Sequence, residues 1–291
     1  MAANKESLFK DVAFLTGIRP YRNYQNTASL NVAANYIRGE FTKAGLHTEE
    51  QKWTVNGKSY KNVIATMNEE KEERLILGAH YDVCGNQPGA DDNASGIAGL
   101  LETCRLIAAN GRELPYRIDF VAYALEEPPF FGTQNMGSFI HARSLSEIKA
   151  RVLGMICFEM IGYFSDEPLL PGRNPHDPEI EIPDNGNFIA VVGTKNHKDF
   201  ISRFQALMSE NPNMESIAVS LSATDPLALL SDHRNYLHFG FPALMINDTS
   251  FLRNPHYHLD SDTIDTLSFD MMAEVVNSVY HAITHFHKES L

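Results

Sequence analysis

Basic residues are in short supply in this 291-residue chain: 24 Lys and Arg stand against 37 Asp and Glu, for a net charge of −13 and a pI near 5.3. Phosphate binding needs a basic stripe, and without one nucleic acid is excluded as a partner. Long apolar runs are missing too. No stretch reaches the roughly 18 apolar residues of a membrane helix. The opening MAANKESLFKDVAFL has neither the basic start nor the apolar core of a secretion signal. The expectation is a cytoplasmic protein if Met1 is the natural start, and a secreted one if a signal was trimmed. The three cysteines, Cys84, Cys104 and Cys157, are odd in number and have no CxxC spacing. That pattern excludes a disulfide framework and a thiolate zinc site, and predicts buried free thiols. There is no internal repeat and no low-complexity tract. An acidic surface repels anionic partners and mildly favours cationic ones such as a free α-amine.

What is present suits a large α/β core. At 43% hydrophobic content the chain can bury one domain over residues 1–291, and its candidate ligands are spread too widely for a boundary to fall between them. Leu30, Ala34, Ile37 and Phe41 share one face of a helix predicted from Thr27 to Ala44, with Gly45 as its stop. Strands are expected at Glu49 to Val55 and Lys61 to Met67, flanking the hairpin dipeptide Asn56-Gly57. Further strand signals recur at Arg74 to Ala79, Tyr116 to Ala124, Val152 to Phe158, Phe188 to Val192 and Ala243 to Ile246. Helical segments lie between them, including Ala94 to Ala109. Alternation of this kind implies a mostly parallel sheet with an antiparallel edge. Ser165 to Asn187, rich in Pro, Gly and acids, reads as a long loop that walls a site. Ser268 to His287 closes the chain as a helix, on which His281, His285 and His287 belong to a solvated end.

The chemistry-bearing residues gather where strands end. GAHYDVCGNQPGADDNASG places His80, Asp82 and Asp91 between an apolar strand and a helix start, the rim at which open α/β sheets bind ligands. Glu126 and Glu127 end the next apolar strand. Their side chains diverge, so one can bind a metal while the other faces substrate as a proton acceptor. Glu159 is a lone acid in the apolar stretch GMICFEMIG and requires pairing or a cation. Ser231-Asp232-His233 and the run from Asn254 to Thr263 supply imidazoles that suit zinc beside carboxylates.

Taken in order, HYD, GADDNASG, LEE, FEMIGY, SDH and NPHYH…DT resemble the successive motifs of metallopeptidase family twenty-eight, from about Ala28 to the C-terminus. That group includes the bacterial zinc leucyl aminopeptidase, glutamate carboxypeptidase and, more distantly, glutaminyl cyclase. The resemblance implies a single zinc-exopeptidase domain of phosphorylase/hydrolase-like fold, with a mixed, mostly parallel sheet flanked by helices on both faces. It implies two divalent ions, expected to be zinc, bridged by Asp91, with His80 and Glu159 on one and Glu127 and His258 on the other. Glu126 is then the general base. Asp82 accepts a hydrogen bond from His80, and Asp232, His233, His256 and Tyr257 line the substrate pocket. Glu159 stands where the best-known members have Asp, which lengthens that ligand arm by one methylene.

The expected activity is hydrolysis of a terminal peptide bond by a metal-activated water, most simply in an aminopeptidase acting on a peptide or small amide. A single-zinc glutaminyl cyclase and a catalytically inactive binding domain are the competing readings. A carboxypeptidase needs a cation for the terminal carboxylate, for which Arg143, Arg173, Arg234 and Arg253 are the candidates. Side-chain preference and oligomeric state are not legible.

Overall fold

A computed structural model describes residues 1–111, 113–167, 182–183 and 185–286. One eight-stranded sheet organises them, in the order β1-β2-β4-β3-β5-β8-β6-β7. Its strands are β1 (His47–Val55), β2 (Lys58–Met67), β3 (Glu73–His80), β4 (Arg117–Tyr123), β5 (Arg151–Glu159), β6 (Phe188–Thr194), β7 (Glu215–Leu221) and β8 (Ala243–Asn247). The central strands β4, β3, β5 and β8 are mutually parallel, and β7 runs parallel to β6. The pairs β1–β2, β2–β4 and β6–β8 are antiparallel, which makes the sheet mixed. Asn56 and Gly57 both take positive φ, 50° and 77°, in the two-residue turn joining β1 to β2. This is the backbone that the Asn-Gly dipeptide favours.

The continuous apolar character of the central strands follows from burial on both faces. Leu75 and Leu77 of β3, Ile156 and Phe158 of β5, and Leu244 and Ile246 of β8 join one core with α1 (Lys5–Thr16), α2 (Thr27–Lys43), α3 (Gly96–Asn110), α5 (Lys198–Met208) and α7 (Phe269–His285). Their alternating neighbours Ile76, Met155, Cys157 and Met245 join a smaller core on the other face, with α4 (Gly137–Glu147) and α6 (His233–His238).

Two elements add to the expected set. Helix α1 starts at Asn4, whose side chain accepts the Ser7 N–H at 3.0 Å. Strand β7 lies at the edge of the sheet and mixes buried with open positions. The expected loop from Ser165 to Asn187 falls largely outside the described residues, and its ends meet in an antiparallel bridge between Ser165 and Gly186. His287 also lies outside them. His281 bonds Glu210 at 2.7 Å and stacks on His285 at the helix surface. The cysteines are free, with Cys104 and Cys157 buried and Cys84 half-buried. No helix of the described residues is long and apolar enough to cross a membrane.

Candidate metal centre

Parallel strands deliver their last residues to one edge of a sheet, and that edge carries the acids and imidazoles. His80 ends β3, Glu159 ends β5, and Glu126 and Glu127 follow β4. Asp92 sits in the loop from β3 to α3, and His258 in the loop after β8.

Asp92 is the centre of the cluster. Its Oδ1 lies 3.3 Å from His80 Nε2 and its Oδ2 lies 3.0 Å from His258 Nε2. Glu159 Oε2 is 3.3 Å from the same His80 nitrogen, and Glu127 Oε2 is 3.4 Å from that of His258. Glu126 Oε2 stands 3.9 Å from His80 Nε2. The structure therefore brings together His80, Glu126, Glu127, Glu159 and His258 from the expected set.

Asp91 is the exception, and the place between the two imidazoles is held by Asp92. The Asp91 carboxylate turns away from the imidazoles, accepting the Gly162 N–H at 2.9 Å and the Asn254 amide at 2.7 Å. The cause lies in the partners of the loop. Asp262 receives the backbone N–H of Asp91 at 2.8 Å and of Asp92 at 3.1 Å. Asn93 is tied to the end of β5, donating to Phe158 O at 2.9 Å and accepting from Met160 N at 3.1 Å. Gly89 turns into this loop at φ 60°, and a Cβ there would meet Asp92 O at 2.3 Å. With these anchors, Asp91 faces the Gly162 and Asn254 side while Asp92 faces the two histidines.

Asp82 also differs from expectation. Its Oδ1 is 3.6 Å from His80 Nδ1, beyond hydrogen-bond range. The same carboxylate accepts the backbone N–H groups of Glu126 and Glu127, each at 3.2 Å, and so holds the turn that presents both glutamates.

Of the expected pocket residues, Tyr257 lines the opening, stacked on His258 with ring centroids 3.8 Å apart. Asp232, His233 and His256 do not. Asp232 and His233 are wholly buried at the start of α6, where His233 Nε2 bonds Ala228 O at 2.8 Å. His256 bonds Ser261 Oγ at 2.9 Å and packs edge-on against Tyr163. The hollow over the acids measures about 100 Å³ and is completed by Pro128, Phe131 and Leu230.

Several residues of the site escaped the sequence reading. Arg22 is buried and donates to the carbonyls of Tyr81 at 2.9 Å, Pro88 at 2.6 Å, Gly89 at 2.6 Å and Leu15 at 3.1 Å, clamping the loop that carries Asp92. Nothing in its local sequence signals this. Asp262 falls inside the NPHYH…DT motif, so a signal existed without a role. Asp248 is buried beside Asp91 and accepts from Tyr163 N and Ser250 N. Cys84 offers its sulfur within 4.8 Å of donor atoms on Glu127 and His258.

Electrostatics show what this cluster lacks. Burial alone would raise the Asp92 carboxyl, but hydrogen bonds from His258 and His80 pull it below the usual range. Burial and the nearby Asp92 charge push Glu127 up to about 8. Burial pushes Glu126 well above its ordinary value, with His80 opposing and Glu127 and Glu159 adding to the rise. Among the described residues no Lys or Arg forms an ion pair with Asp92, Glu126, Glu127 or Glu159; their ion-pair partners are the two imidazoles. One oxygen of Glu127 is buried with no hydrogen-bond partner. Buried acids in this number demand cations. His80, Asp92 and Glu127 offer donor atoms within 4.8 Å of one another. Nitrogen and carboxylate donors of this kind suit a divalent metal of the zinc type.

Comparison with known proteins agrees with the geometry. The model of peptidase family M28 matches residues 62–283. The chain is 38% identical over 288 residues to "Uncharacterized protein YfbL" of Escherichia coli (strain K12), covering 95% of this chain and 87% of that protein. It is 27% identical over 293 residues to a "Probable leucine aminopeptidase" of Trichophyton verrucosum (strain HKI 0517), covering 94% and 71%. Among solved structures, the LapA aminopeptidase of Legionella pneumophila superposes with a TM-score of 0.76 at 20% identity, over 97% of this chain and 72% of that one. A glutaminyl cyclase of Bacteroides thetaiotaomicron reaches 0.75 at 18% identity, over 99% of each chain. The fold is common to both enzyme types, so the fold does not separate them.

Proposed function

Because this chain belongs to peptidase family M28, we propose that it is a metal-dependent aminopeptidase holding two divalent ions, with zinc the expected metal. The observation that carries this reading is the two-sided position of Asp92. One oxygen faces His80 and Glu159, and the other faces His258 and Glu127, so two donor sets share one carboxylate. A single-zinc cyclase needs only one such set. Chain segments from β3 to the loop after β8 contribute donors, and we treat residues 1–291 as one domain.

Held by His80, Asp92, Glu127, Glu159 and His258, a metal pair would supply Lewis-acid polarisation of the substrate carbonyl and would acidify a water towards a pKa of ~7. Glu126 would serve as the proton acceptor for the attacking water and would return the proton to the departing amine nitrogen. Glu126 is suited to this by its place on the pocket lining, out of hydrogen-bond contact with His80. The lining carries four carboxylates and, among the described residues, no Lys or Arg. With Asp92, Glu127 and Glu159 committed to the ions, Glu126 is the lining carboxylate left to meet an α-ammonium group, which favours release of N-terminal residues. Tyr257 closes one side over His258.

The test is turnover of leucine p-nitroanilide by zinc-loaded protein, with loss on chelation and recovery on adding metal back. An N-acetylated substrate should not react. Cyclisation of an N-terminal glutaminyl substrate in place of hydrolysis would overturn the proposal in favour of a cyclase, and inertness towards both would favour a binding role.

A further inference from the structure

Among the described residues, Arg234 is an arginine beside the site with no carboxylate in ion-pair contact. It lies half-buried on α6 with its guanidinium stacked over the Phe131 ring, Cζ 4.6 Å from the centroid. Among the described residues no carboxylate pairs with it and no side-chain hydrogen bond engages it. Neither Arg143 nor Arg253 lines either hollow, although Arg253 Nε and Nη2 are buried without a hydrogen-bond partner. Arg143 lies 3.6 Å from Glu147, and Arg253 is buried against Phe188, donating to its carbonyl at 2.9 Å. Arg173 falls outside the described residues.

Arg234 faces a second hollow, of about 420 Å³, whose polar lining includes Thr133, Asn196 and His197. Gly132 and Leu229 line this hollow, while their chain neighbours Phe131 and Leu230 line the pocket over the acids. The two spaces therefore adjoin at these two segments, and the Glu126 charge is felt at Arg234. One end of the combined space is a nest of carboxylates, and the other holds a guanidinium fork without an anion. Such a fork binds carboxylates in bidentate fashion.

Resting on the aminopeptidase reading, we propose that the substrates are short peptides of two or three residues whose free C-terminal carboxylate is received by Arg234. The α-ammonium group sits beside Glu126, the lining acid not committed to a metal, and the C-terminal carboxylate lies against the guanidinium. A longer peptide presents a neutral amide at that point and forfeits the charge-assisted contact.

The experiment compares kcat/KM for Leu-Gly and Leu-Gly-Gly with their C-terminal amides, using leucine p-nitroanilide as a reference without a carboxylate. A protein of net charge −13 should by itself disfavour the free acids. The expected result is the reverse, a preference for acids over amides of about tenfold to a hundredfold, the scale of a hydrogen bond to a charged group. The preference should reside mainly in KM, because the contact is remote from the reacting carbonyl. It should collapse towards one in Arg234→Ala and recover in part in Arg234→Lys, which keeps the charge without the fork. The wild-type acid-to-amide ratio needs no variant, so it stands whether or not the substitutions fold, and Arg234→Gln provides a second replacement. Equal rates on acids and amides, or a preference that survives Arg234→Ala, overturns the inference. If leucine p-nitroanilide is cleaved while that preference is absent, only the role of Arg234 falls. If no substrate is cleaved, the aminopeptidase reading falls with it.

Discussion

Asp92 Oδ2 meets His258 Nε2 at 3.0 Å, joining the loop after β3 to the loop after β8. This contact closes the site across the sheet edge and sets Asp92, not its neighbour Asp91, between the two imidazoles.

Exchanging the two aspartates one at a time separates their roles. Asp92→Asn should lose bound metal on dialysis, read by elemental analysis, and lose activity at least a hundredfold. Asp91→Asn should retain the metal and instead lower stability by about 1–2 kcal/mol, since its carboxylate engages Gly162, Asn254 and Asp248 and not the imidazoles. Metal loss in the Asp91 variant alone would return the bridge to Asp91.

Glu126→Gln keeps size and removes the proton acceptor. Metal content should be unchanged, while kcat falls by about a hundredfold to ten-thousandfold with little change in KM. A Gln variant that turns over at the wild-type rate would remove Glu126 from the mechanism.

Arg22 is a buried cation answering four carbonyls. Arg22→Met should cost about 3–5 kcal/mol, because the carbonyls lose their donors together. Denaturant melts measure this directly, and metal affinity should fall in parallel because the same carbonyls bracket the loop to Asp92.

His141 provides a pH dependence outside the metal centre. Its Nδ1 lies 2.6 Å from Tyr236 Oη, and burial holds its pKa down at about 4. The unfolded chain binds the proton near the usual ~6.5. Stability is therefore intact above the unfolded value and falls as pH drops from ~6.5 towards 4, where the folded form begins to protonate as well. Between pH 6.5 and 5 the expected loss is about 1.6 kcal/mol. Thermal melts of the wild type and His141→Gln across that range should differ by this slope, and parallel curves would refute it.

Much of the framework is legible in local patterns. Apolar runs mark the central strands because both faces are covered, and Asn56-Gly57 marks the hairpin because both residues take positive φ. Strand β7 gives a weaker signal, since its alternation is imperfect and its edge is open. Glu126, Glu127 and Glu159 are legible as site residues because acids at apolar strand ends have few other uses. Arg22 is not, because its partners are carbonyls that no side-chain pattern reports.

Composition and periodicity alone determined the class of fold, the strand ends and the inventory of nitrogen and oxygen donors, since these depend on neighbours close in the chain. Only the tertiary structure decided which of two adjacent aspartates faces the imidazoles, that Asp82 serves the Glu126–Glu127 turn, and that Asp232 and His233 are buried away from the pocket lining. Adjacent side chains leave the backbone in different directions, and which one points inward is set by distant partners: Asp262 on two successive N–H groups, Asn254 and Gly162 on Asp91, and the end of β5 on Asn93.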